Sequence, residues 1–184
     1  MKIAILGWGS LVWDPRDLPH YGPWIKEGPM LQIEFSRVSS DCRLTLVIDS
    51  VAGALCPTRY VLSPRTDLAD TIEDLRRREG TSLKYIGYFD NRRNKNSRTQ
   101  YHNQVDVVPS LRQWCINYQI DAVVYTALPS NFLDEISVTF SVDAAIAFLK
   151  GLAKTSRENA LKYIRNAPEE VITPVRSRVS KVWP

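Results

Sequence analysis

Ile3-Ala4-Ile5-Leu6-Gly7-Trp8-Gly9-Ser10-Leu11 is the stretch on which the reading of the fold turns. Lys2 to Leu6 is a short apolar run with β-branched residues, and it ends on Gly7. It reads as a buried strand feeding a glycine turn. Two glycines two apart permit positive φ and leave backbone N–H groups unobstructed. Consecutive exposed N–H groups form a nest that suits a carboxylate, and Ser10 adds a hydroxyl. The stretch is not a dinucleotide fingerprint, because the third glycine and a following helix are missing from the pattern. Nor does Ser10 lie in the GxSxG elbow of a serine nucleophile. On residue chemistry alone, a plain tight turn is the commoner outcome of the same residues.

The clearest helix is Asp67 to Glu79. Asp67 caps it, Asp70, Glu73 and Asp74 lie in its N-terminal half, and Arg76, Arg77 and Arg78 match the dipole in its last turn. Gly80 follows in the position of a C′ residue. Its apolar line runs Leu68, Ile72, Leu75, and Glu79 continues it four residues on. A carboxylate there points inward at the negative end of the helix, the position of a general base. A last-turn Glu that snorkels to solvent or pairs with an arginine fits the same position.

Elsewhere, the prolines of Pro15–Pro29 predict an irregular excursion. Strands are expected at 32–38, 43–48 and 54–62, the last broken by Pro57. Leu83–Phe89 and Asp121–Leu128 read as further strands. Asp90–Asn103 reads as a basic polar loop, and Pro109–Tyr118 as a helix opened by its proline. Ser141 and Ser156 are in place to cap helices reaching Ala153 and Asn166. The tail from Glu169 reads as extended.

The chain has 184 residues, which favours one domain spanning 1–184, with 168–184 as its extended tail. A hydrophobic fraction of 44% and a charged fraction of 24% are those of an ordinary globular protein. A net charge of +4 is too small to indicate nucleic-acid binding unless the basic residues cluster. Cys42, Cys56 and Cys115 are widely spaced, with no CxxC pair, and read as buried free thiols in a reducing compartment. His20 and His102 have no carboxylate at ligand spacing, so no metal site is expected. The N-terminal apolar run lacks a small-residue cleavage site and meets Asp14, Pro15, Arg16 and Asp17 directly. No stretch approaches the roughly 20 apolar residues of a membrane span. The expectation is a cytoplasmic protein.

Arg76, Arg77, Arg78, Arg92, Arg93, Lys95 and Arg98 form a basic stretch interleaved with Tyr85, Tyr88 and Tyr101. Such a stretch can contact RNA phosphates and stack bases, with the 92–98 loop as the contact. It is more often a solvated helix end followed by a mobile loop.

At its two motifs the chain resembles the γ-glutamylcyclotransferase-like superfamily, and within it the ChaC-like arm. That arm has a first strand ending in a Gly-Tyr-Gly-Ser-Leu-type loop followed by an aromatic, and here the stretch is Gly7-Trp8-Gly9-Ser10-Leu11-Val12-Trp13. It also has a helix closing on Leu-x-x-Arg-Glu, here Leu75-Arg76-Arg77-Arg78-Glu79. Phe35 to Thr45 is similar to the family's Phe-x-x-x-Ser-x-x-x-Arg-Gly-Thr region, and Asn159 to Ile164 to its Asn-x-x-Tyr-Leu helix. The similarity runs in order through most of residues 2–165. Trp8 stands where the family has Tyr, and Leu44 where it has Gly.

The resemblance implies an α+β fold, a small mixed β-barrel flanked by helices. It also implies a metal-independent reaction without cofactor, the release of 5-oxoproline from a γ-glutamyl amine or peptide. The substrate's α-amine attacks its own γ-carbonyl, so the protein needs no nucleophile and works by orientation. By the resemblance Gly7, Trp8, Gly9, Ser10, Leu11, Arg43 and Tyr163 bind the substrate, with the Gly9–Leu11 backbone on its α-carboxylate, and Glu79 is the base. Two other readings stand beside this one: a non-catalytic module of the same fold that holds a small carboxylate, and an RNA-associated protein using the basic loop.

Overall fold

A computed structural model of the chain describes residues 1–97 and 103–184, with side chains described outside 103–106. In chain order the elements are β1 (Ile3–Gly7), α1 (Ser10–Trp13), β2 (Tyr21–Ile25), β3 (Met30–Val38), β4 (Leu44–Ile48), β5 (Ala54–Pro57) and β6 (Arg59–Leu62). Then come α2 (Leu68–Glu79), β7 (Ile86–Asp90), β8 (Lys95–Asn96), α3 (Asn103–Tyr118) and β9 (Ala122–Thr126). Four helices complete the chain: α4 (Phe132–Ile136), α5 (Val142–Gly151), α6 (Lys154–Asn166) and α7 (Pro174–Val182). The fold is mixed α+β, with a six-stranded sheet in the order β2-β6-β1-β9-β7-β8 and a three-stranded sheet in the order β4-β3-β5. Neither closes into a barrel among the described residues. No described helix is long and apolar enough to cross a membrane.

The chain divides into two compact units, Met1–Leu31 with Pro57–Leu128, and Gln32–Cys56 with Pro129–Pro184. Each is assembled from two separated stretches, which is why no composition shift marks a boundary.

In the first unit β1 is buried at all five positions, as a central strand covered on both faces must be. It runs parallel to β9 and antiparallel to β6. Ile3, Ile5, Val61, Ala122 and Val124 pack with Leu75 of α2 on one face. Tyr60, adjacent to Val61 and therefore on the other face, meets Trp114 of α3 with ring centroids 5.0 Å apart. Gly87 lies opposite Tyr125 in the β7–β9 register, and a Cβ there would run into the Tyr125 ring. In the second unit β3 is the middle strand. Phe132 of α4 meets Phe140 and, on α5, Phe148 edge-on.

Several expectations change. The 54–62 strand parts at Thr58, whose hydroxyl donates to the Pro29 carbonyl and whose own carbonyl accepts from Gly28 N, so β5 and β6 enter different sheets. The proline-rich excursion contains β2, an irregular edge strand with Gly22 at φ +63°. Pro109 lies inside α3 instead of opening it; the helix begins at Asn103 and gives up one ladder bond to the proline. The basic loop is in part a hairpin, with Asp90 paired to Lys95 and Arg93 N donating to the Asp90 carboxylate. Arg98, Tyr101 and His102 lie outside the described residues. The tail read as extended, 168–184, contains α7. Thr173 caps that helix by accepting from Arg176 N, and Pro174 sits in its first turn. Cys56 and Cys115 are buried as expected, and desolvation pushes the Cys115 thiol up to about 12; Cys42 is exposed.

Candidate functional site

The first strand delivers its glycine turn to one end of the six-stranded sheet. The amino terminus bonds the Thr66 carbonyl just ahead of α2, so α2 starts beside the start of β1. Its last turn meets Asp14 and Arg16, which follow the Gly7–Trp13 segment. The Asp67 carboxylate accepts from Ala69 N and Asp70 N at its start, and Gly80 adopts φ +61° at its end, both as the sequence predicts. Asp74, almost fully buried, holds Arg65 and Arg77. Burial pushes that carboxyl up, but the two guanidinium bonds outweigh it and keep it below its ordinary range.

The glycine turn differs from its expected form. Neither Gly7 nor Gly9 has positive φ. Gly9 has φ −127°, and Ser10–Trp13 follow as a single helical turn closed by Val12 N on the Gly9 carbonyl and Asp14 N on the Ser10 carbonyl. The reason for a glycine at position 7 is close approach: a Cβ would lie 2.7 Å from the Trp24 ring and 3.0 Å from Val12. Trp8 and Leu11 are buried in the core. Of the expected loop contacts, Gly9 and Ser10 remain partly accessible.

Glu79 has a side chain 15% exposed, and the preceding Arg78 one that is 4% exposed. Arg78 Nη1 donates to Glu79 Oε1 at 2.8 Å, and Nη2 donates to the Asp14 carbonyl. Arg16, at φ +54°, returns a bond from its Nη1 to the Arg78 carbonyl at 3.3 Å. The residues directly after α1 and the last turn of α2 are thus clasped from both sides. Arg78 Nε and Trp24 Nε1 are buried and have no hydrogen-bond acceptor among the described residues.

Arg43 and Tyr163 come together in the second unit. The Arg43 guanidinium lies over the Tyr163 ring, 4.9 Å from its centroid, and Arg43 Nε is 2.7 Å from Asp41. Desolvation at Asp41 is outweighed by its bonds from Ser39 and Arg43, which lower its carboxyl. The expected site residues therefore form two groups: Gly7–Leu11 and Glu79 in the first unit, Arg43 and Tyr163 in the second. Sequence reasoning placed Arg78 in the basic run and left an arginine partner for Glu79 as one of two outcomes, and it gave no role to Asp14, Arg16 or Trp24. The adjacency of Arg78 to Glu79 was the available signal. Arg76 and Arg77 are engaged as well: Arg76 forks onto Glu73, with both contacts at 2.7 Å, and Arg77 bonds Asp74.

No family model, curated protein or solved structure matches the chain.

Proposed function

We propose that the chain is a γ-glutamyl cyclotransferase-like enzyme, with the small mixed barrel of that superfamily as the finer description of its fold. The observation that carries the reading is the Arg78 clasp. It holds Glu79, largely shielded from water, to the Asp14 carbonyl that follows the Gly7–Trp13 segment. Ser10 is partly accessible and opens a helical turn, so its N–H group has no intrahelical acceptor and suits a substrate α-carboxylate. Glu79 takes a proton from the α-ammonium, the freed amine attacks the γ-carbonyl of the same molecule, and the amide bond to the leaving amine breaks as that amine is protonated. The tethered nucleophile makes holding the curled substrate the main catalytic task.

The test is incubation of the purified protein with a small-metabolite extract, followed by mass spectrometry. Accumulation of 5-oxoproline with loss of a γ-glutamyl compound supports the enzyme. One observation favours a second reading. Glu79 is already paired with Arg78, which would leave the loop to hold a small carboxylate without turning it over. Binding of a γ-glutamyl compound with no 5-oxoproline would replace the first reading by the second.

A further inference from the structure

Adjacent residues on a helix point about 100° apart and do not face each other. A bond between Arg78 and Glu79 is therefore not something α2 supplies by itself. The Arg78 guanidinium turns toward the residues after α1, where the Asp14 carbonyl takes a second donor, and Glu79 meets it there through the first. The Asp14 carboxylate is bonded elsewhere, to Arg16 at 3.4 Å. At 4% exposure Arg78 has almost no access to water, so its charge must be answered by protein groups, and Glu79 is the carboxylate that answers it. The planar fork of an arginine fixes direction as well as charge.

We propose that Arg78 is a positioning residue, which fixes the Glu79 carboxylate against the turn following Gly7–Leu11 and so sets the one orientation in which Glu79 meets a ligand. The proposal rests on Glu79 as the base. It differs from a purely structural role because the effect of Arg78 must pass through Glu79.

The experiment is a double-mutant cycle on the full chain, with γ-glutamyl-alanine as the probe. Arg78→Met keeps the length and removes every donor. Arg78→Lys keeps the charge and loses the fork, and it serves where the Met variant fails to unfold cooperatively. Either should lower kcat about 10–100-fold, the usual cost of a misplaced catalytic group, while KM moves less than about threefold. In a Glu79→Gln background the same substitutions should cost almost nothing further. An equal loss in both backgrounds would overturn the proposal. A crystal structure of Arg78→Lys decides it independently of turnover. The Glu79 carboxylate should leave its wild-type position or split between rotamers, and an unmoved Glu79 would sink the idea. Should the wild-type protein release no 5-oxoproline, the cyclotransferase reading fails, while the crystal structure still decides whether Arg78 positions Glu79.

Discussion

Arg78 and Gly7 show how single residues at this end of the sheet are constrained by neighbours far away in sequence. Gly7 has an ordinary backbone conformation, so its identity is a matter of space. An alanine methyl would press on Trp24, which packs against the core, and on Val12. Gly7→Ala should therefore cost about 1–3 kcal/mol of stability, the usual range for overpacking. It should appear as a lower urea midpoint with an unchanged slope, and a midpoint equal to that of the wild type would contradict the crowding. Glu79→Gln tests chemistry instead. The amide keeps size and polarity but cannot take a proton, so turnover should fall by roughly 10²–10⁴. Substrate binding, assigned to the Ser10 N–H group, should change little. Near-wild-type turnover would leave Glu79 only its ion pair with Arg78.

At the scale of elements, what could be read from the sequence was what is encoded locally. Asp67, the apolar line through Leu75 and Gly80 define α2 within one stretch, and its cap and end hold. The orientation of its last turn depends on Asp14, more than sixty positions away along the chain, and no local pattern carries that. Glu34 is a second case. It interrupts the apolar residues of β3, yet it is fully buried and accepts from Phe35 N at 2.6 Å and from Val175 N at 3.2 Å. It thereby caps α7, the helix that sequence reading took for an extended tail, from 141 positions away. Desolvation raises the Glu34 carboxyl above its ordinary 4.5, against the bonds from Thr173, Phe35 and Val175, with Asp49 adding to the rise. A carboxyl raised in the folded state binds its proton more tightly there than in the unfolded chain. Its contribution to stability is full below pH 4.5 and is lost as pH rises through the folded value. Glu34→Gln is neutral at every pH. The stability of the wild type minus that of Glu34→Gln should therefore fall as urea unfolding is repeated at rising pH above 4.5. A difference that stays constant or grows with pH would reverse the assigned direction.

At the scale of the molecule, the two units were hidden because the chain leaves the first one at Leu31 and returns to it at Pro57. The first unit nevertheless has the parts of an independent domain: a buried central strand, α2 on one face of the sheet and α3 on the other. It also contains Gly7–Leu11, Arg78 and Glu79 together. Its two stretches are tied where the second unit interrupts them, since Gly28 N donates to the Thr58 carbonyl at 3.0 Å and the Thr58 hydroxyl to the Pro29 carbonyl at 2.7 Å. A short Gly-Ser linker between Leu31 and Pro57 therefore has little distance to cover, and closing a short loop costs little entropy. A chain of Met1–Leu31, that linker and Pro57–Leu128 should fold by itself. Roughly 100 residues with two covered sheet faces bury enough apolar surface for a marginally stable domain. The expected result is a cooperative urea transition by circular dichroism, coincident with the one followed by tryptophan fluorescence, because Trp8, Trp13, Trp24 and Trp114 all lie in this unit. Its slope should be smaller than that of the whole chain, in keeping with the smaller surface exposed. Non-coincident or shapeless transitions would mean that Met1–Leu31 and Pro57–Leu128 do not make a domain that folds by itself.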